Sequence, residues 1–302
     1  MNPVDLELSD SNVSISQHSL IPSWQLPVLV ILAAFVYYPV FGKLVNQWGN
    51  DPNFSHGFIV PLFSLYLLWS MRKSLSAVAV RPSWYGLPIM IAALGTLLLG
   101  TFGAELFLSR VSFVLLLAGM IIWLYGWPLF RALLFPWAFL FLMIPIPVIV
   151  FNQITLPLQL FASRVAAAIL EAFGVPVLRE GNIIQLPAMA LEVAEACSGI
   201  RSLLSLVTLA VLYGYFVDSR LVRRLILVLA SVPIAILANA LRIVGTGLLV
   251  QYWDPDKALG FFHEFSGWVI FVVSLALLFG THRLIRLISD RDPRCATLWT
   301  VS

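Results

Sequence analysis

The apolar positions fall into long uninterrupted runs broken by short polar stretches, rather than into alternation of period two or an amphipathic stripe of period 3.6. Runs of this kind predict membrane-crossing helices, each needing about 20 apolar residues to traverse roughly 30 Å of hydrocarbon. Eight are found: Trp24–Gly42, Phe54–Ser70, Trp84–Thr101, Phe107–Tyr125, Ala132–Val150, Gly199–Phe216, Leu225–Val250 and Phe261–Gly280. The runs are continuous, which excludes a membrane β-barrel. Between the fifth and sixth runs, Leu156–Phe173 reads as an amphipathic helix lying in the interface or as part of a ninth, buried helix. Glu180-Gly181-Asn182, between β-branched runs, then predicts a hairpin turn. The expected fold is an all-α polytopic membrane protein, a bundle of about eight transmembrane helices with a small outer-face β-hairpin before the sixth span. Residues 1–23 are expected to form a cytoplasmic tail, 24–281 the membrane-embedded domain and 282–302 a basic cytoplasmic tail.

Composition agrees with this reading. Of the 302 residues, 60% are hydrophobic and 11% charged, with a mean hydropathy of +0.94. Too few charges are present to clothe a soluble surface, so soluble, disordered and coiled-coil classes are excluded. The net charge of +3 says little, but its distribution sets an orientation. Arg72, Lys73, Arg81, Arg131, Arg220, Arg223, Arg224 and the tail residues Arg283, Arg286, Arg291 and Arg294 fall on one side of an eight-span bundle. Acids dominate the opposite connections. By the positive-inside rule both termini are cytoplasmic. The N-terminal arm lacks a basic n-region and is not expected to be a cleavable signal peptide.

Candidate chemistry gathers at the opposite, outer rim. Cys197, in Glu195-Ala-Cys-Ser-Gly-Ile-Arg201, lies where the sixth helix is expected to begin. A helix N-terminus favours a thiolate, and Arg201, four residues on, would add positive potential from the same helical face. The other cysteine, Cys295, lies across the bilayer, so no disulfide joins them. The competing reading of Cys197 is a small buried hydrophobe. Arg242, in Asn239-Ala-Leu-Arg242, is about 26 Å along the seventh span, level with Cys197, and Asn239 shares its face. It is a functional residue or an arginine snorkelling to headgroups. His263, at the outer start of the eighth span, is a proton carrier or an interfacial histidine in an aromatic belt. Cysteine, histidine and arginine at one depth supply a nucleophile, an acid/base and an oxyanion donor for acyl transfer. His56 and Arg179 lie on the same side as supporting candidates, although His56 equally suits a helix cap. Arg110, five residues past Glu105, reads as paired with it inside the bundle. No zinc-ligand spacing, HExxH, Walker or dinucleotide loop occurs, so no cofactor is expected.

The stretches around Cys197, Arg242 and His263, with Phe54-Ser-His-Gly-Phe-Ile-Val-Pro-Leu and Met143-Ile-Pro-Ile-Pro147, resemble the exosortase branch of the exosortase/archaeosortase membrane proteins. The resemblance runs from about Asp51 to His282. It implies a cysteine transpeptidase of the bacterial inner membrane, associated with exopolysaccharide production. It implies Cys197 as nucleophile, His263 as acid/base and Arg242 as transition-state stabiliser. The implied partners are exported proteins ending in a Pro-Glu-Pro-type motif, a membrane helix and a basic tail, with a lipid- or glycan-linked acceptor. Archaeal members carry arginine at the position of His263, so histidine favours the bacterial branch. The chain ends soon after its last span, and the C-terminal soluble domain of some members is not expected. The alternative class is a transporter or flippase for polysaccharide precursors, with Arg110 and Arg242 along its path.

Overall fold

In the computed structural model, residues 24–193, 199–253 and 261–291 are described, the side chains of 261–264 and 289–291 excepted. The helices are α1 (Gln25–Asn50), α2 (Ile59–Ser76), α3 (Gly86–Phe102), α4 (Leu106–Leu124), α5 (Trp127–Ala132), α6 (Leu134–Phe139), α7 (Val148–Ala172), α8 (Ile200–Val217), α9 (Leu221–Tyr252) and α10 (Phe261–Arg291). A 3-10 segment, Pro52–Phe58, leads into α2, and a second, Leu140–Met143, follows α6. Among the described residues, seven helices are long and apolar enough to cross a membrane. The all-α polytopic expectation therefore holds.

Two departures from the predicted spans have physical causes. The fifth run, Ala132–Val150, is not one helix. Pro145 and Pro147 remove backbone donors and push the residues before them into extended geometry, and Ile144 has ψ 116°. The run becomes α6, a 3-10 turn and a break. Val148–Val150 then open α7, which continues through most of Leu156–Phe173. Length alone would let α7 cross the bilayer, but its contacts do not. Phe151 meets the Phe54 ring at 5.6 Å, while Leu170 packs beneath Gly247, near the end of α9. Both ends of α7 lie at one end of the bundle, so this roughly 37 Å helix runs along the rim. That is the interfacial alternative.

The chain between α7 and α8 forms an antiparallel three-stranded sheet, β1 (Leu178–Glu180), β2 (Ile183–Gln185) and β3 (Ala190–Glu192), in order β1-β2-β3. Glu180 pairs with Ile183 across the two-residue loop Gly181-Asn182. Gly181 has φ +64°, as the first position of a type II′ hairpin requires. Ile184, Leu186 and Leu191 face inward against Ala162, Ala166 and Leu170 of α7 and Ile243 and Val250 of α9. A neighbouring core joins Trp48, Phe54, Met143, Ile144, Phe151 and Ile200. Trp48 Nε1 donates to the Met143 carbonyl at 3.0 Å, fixing α1 against the proline break. Elsewhere α3 and α4 pack tightly through Gly86 and Gly119, where any Cβ would strike the partner helix.

The opposite, arginine-rich end is organised by Asp218, which is 4% exposed. Its carboxylate accepts from the Arg220 amide at 3.0 Å and from His282 Nε2 at 3.3 Å, with Arg223 at 3.7 Å and Arg286 at 4.0 Å. The Asp218 carbonyl accepts from Arg224 Nε at 2.7 Å. A carboxylate only accepts, so Nε2 of His282 carries the hydrogen. In the neutral ring Nδ1 then accepts from the Tyr213 hydroxyl, 3.1 Å away. His282 thus lies buried on α10, which continues as helix to Arg291.

Burial alone would raise the Asp218 pKa, but the Arg220 amide, His282 and Arg223 together hold it below the ordinary 3.8. A depressed carboxyl stabilises the fold above its unfolded value, and that contribution is lost as pH falls through the folded one. The thermal midpoint in detergent is expected to drop as pH goes below about 4. Asp218→Asn should cost about 3 kcal/mol at neutral pH and remove this component of the acid sensitivity. An Asp218→Asn protein with the wild-type pH–stability curve would contradict the assignment.

Candidate functional site

The site is approached through two glycines. Gly199, the N-cap of α8, is left-handed at φ +79°, a conformation open to glycine at little cost. It lies flat on α9: a Cβ there would sit 2.9 Å from Cβ and Cγ of Asn239 and 3.1 Å from its Nδ2. Asn239 is 3% exposed, and one turn on along α9 stands Arg242, half-buried. The Arg242 guanidinium lies over the second glycine, Gly267 of α10, with Cζ and Nη2 3.4 Å and Nε 3.8 Å from where its Cβ would be. Gly267 is one helical turn from His263 on the same face of α10.

The contacts run from α8 through Asn239 and Arg242 to α10. They gather Asn239, Arg242, the start of α8 and the turn of α10 that carries His263. Cys197 lies outside the described residues, as does the side chain of His263. The helix begins at Ile200, directly after the left-handed Gly199, and the expected shared face of Cys197 and Arg201 lies outside the described residues. Arg201 is exposed in the first turn of α8.

The supporting candidates separate. His56 is half-buried in the 3-10 segment Pro52–Phe58, which packs on α8. The Trp48 indole closes over the adjacent Gly57 and leaves no room for a Cβ. Arg179 turns back on its own hairpin, donating to the Gly181 carbonyl at 2.6 Å. Arg110 does not form the expected ion pair. Glu105 instead caps α4, its carboxylate accepting from the Phe107 amide at 3.1 Å. Sequence reasoning passed over Gly267. The signal for it is a small residue one turn from a candidate acid/base, where a neighbouring helix can bring a guanidinium close.

The chain matches the family model of the transmembrane exosortases over residues 48–280. It belongs to the exosortase family. No curated protein sequence and no solved structure gives a match. The matched segment holds each element of the site, from the Trp48–Gly57 contact to Gly267, and the family is linked to protein-sorting transpeptidase activity.

In this exosortase the α8–α9 approach depends on the missing Cβ. Gly199→Ala is expected to cost about 2 kcal/mol from left-handed strain and from the clash with Asn239. The cost should be smaller in an Asn239→Gly background, where the methyl finds room. Unfolding of the four variants in detergent measures that coupling, and strict additivity would show that the two residues do not meet.

Proposed function

We propose that this exosortase is a membrane cysteine peptidase and transpeptidase that removes C-terminal sorting signals from exported proteins through a thioester. The observation that carries the reading is the pair of glycine contacts. They draw together α8, α9 and α10, the helices that hold or directly follow Cys197, Arg242 and His263. Cys197 is two peptide bonds from Gly199, hence within about 7.6 Å of it. The positive end of the α8 dipole and the Arg242 guanidinium both favour its thiolate.

The substrate helix enters from the bilayer, its basic tail retained on the cytoplasmic side by the same charge rule that orients this chain. Its Pro-Glu-Pro-type segment then lies at the outer rim. The Cys197 thiolate attacks the scissile carbonyl, forming a C–S bond and a tetrahedral oxyanion that Arg242 stabilises. Asn239, one turn away, positions that guanidinium. His263 donates a proton to the departing amine as the C–N bond breaks, and the substrate helix leaves. The neutral imidazole next takes a proton from water or from an acceptor amine on a lipid or glycan carrier. That nucleophile attacks the thioester, and the thiolate is regenerated. Arg201 and His56 flank the start of α8 as supporting residues. Arg179, bound to its own hairpin, serves the sheet. The chain is assigned to the bacterial inner membrane, with both termini cytoplasmic and the site outside. Residues 24–281 form the catalytic body, and the last helix continues past it to Arg291.

Co-expression with an exported reporter ending in a Pro-Glu-Pro motif, helix and arginine tail tests the assignment. Cys197→Ala should abolish processing with membrane insertion unchanged, and Arg242→Gln should slow it by roughly 10²–10³-fold. Gly267→Ala, whose methyl would meet the guanidinium at ordinary contact distance, should be tolerated. Gly267→Leu should displace Arg242 and act like Arg242→Gln. Full processing by Cys197→Ala would overturn the proposal.

A further inference from the structure

Arg110 is buried in α4, 3% exposed, one turn from the start of the helix. Its Nε and Nη2 have no hydrogen-bond partner among the described residues. These two atoms form one edge of the guanidinium, with parallel N–H bonds spaced to grip two oxygens of a single anion. A buried arginine left with that edge empty is costly in a low-dielectric setting, so the edge calls for an oxyanion. Arg110 lines three cavities of about 220, 330 and 360 Å³, each pair of which shares wall residues. Lys43 borders two of them and Gln47 two. The nearby acids do not fill the empty edge. Glu105 and Asp51 accept from backbone amides, and although the Glu105 charge acts on Arg110 through space, neither carboxylate bonds the Nε–Nη2 edge.

We infer that this cleft between α1 and α4 binds the phosphate of an anionic membrane lipid, Arg110 holding it side-on and Lys43 adding a second positive charge. Three features favour a lipid over a peptide. Arg110 lies about 6 Å in from the end of α4, the depth at which headgroup meets hydrocarbon. Val148 and Ile149, which wall one cavity, are 70% and 74% exposed and face the surroundings from which a lipid arrives. The cleft is also built on other helices than the proposed catalytic site: α1, α4 and the start of α7 wall it, whereas that site is built on α8, α9 and α10. Lys43, on exposed α1, can extend its stem along the apolar wall and place its ammonium at the headgroup level.

The test uses the full chain in nanodiscs of phosphatidylcholine containing a minor fraction of phosphatidic acid, with protein-bound lipid read by native mass spectrometry. The wild type should retain phosphatidic acid over phosphatidylcholine. Arg110→Gln should reduce this retention about tenfold, as expected for loss of a charge-assisted bidentate pair. Arg110→Lys should restore it only in part, since a point charge cannot make the side-on contact. Lys43→Gln, at an exposed position unlinked to folding, should weaken retention several-fold and serves if Arg110→Gln does not fold. Unchanged retention in Lys43→Gln together with either Arg110 variant would overturn the proposal. Displacement of the lipid by millimolar inorganic phosphate alone would make the site one for free phosphate and overturn the lipid assignment. Displacement by a soluble Pro-Glu-Pro peptide would assign the cleft to substrate and likewise overturn it. Because the readout is bound lipid, the result stands or falls independently of whether Cys197 is a nucleophile.

Discussion

A single buried carboxylate sets the register of the three helices on which the candidate site is built. Asp218 closes the turn between α8 and α9 and reaches across to His282 on α10, so the three helices are pinned at one end. From that clamp the rise of 1.5 Å per residue fixes what meets at the other end. Gly199, Asn239 and His263 are each about 28 Å from it and Arg242 about 33 Å. A side-chain cluster at the arginine-rich end thereby decides the height of groups on the far side of the bundle. Apolar packing between these helices is adaptable, since lipid tails are as apolar as leucine. The directional contacts of Asp218 are what resist sliding.

At the far end two glycines convert that register into proximity. Gly199 lets the start of α8 lie on Asn239, and Gly267 lets α10 lie under the Arg242 guanidinium. An arginine at this depth needs counter-groups or hydration. Holding it half-buried between three helices keeps its charge available in a medium of low dielectric, where an oxyanion would feel it strongly. The sheet and α7 close the rim above the bundle through Leu170, Ile184, Leu191 and Ile243. Lying along the rim, α7 covers the last third of α9. Arg110 and Arg242 stand on separate helix groups, Arg110 on α4 against α1 and α3 and Arg242 on α9 against α8 and α10.

The sequence alone determined that the chain is a polytopic helical membrane protein, because long apolar runs with so few charges have no other stable form. It also determined the Gly181 turn, because φ above zero selects glycine. Depth, too, was legible: helical rise places Asn239 and Arg242 near the Cys197 end from position alone. Only the tertiary structure decided that α7 lies along the rim, since its length and hydropathy suit a crossing equally well and the decision rests on Phe54 and Gly247, far away in sequence. Only it showed that Glu105 caps its own helix and leaves the Nε–Nη2 edge of Arg110 without a hydrogen-bond partner, because a spacing of five does not say which donor a carboxylate will choose. The approach of Gly267 to Arg242 belongs to the same class. It depends on how two helices cross, and nothing local to either one encodes that.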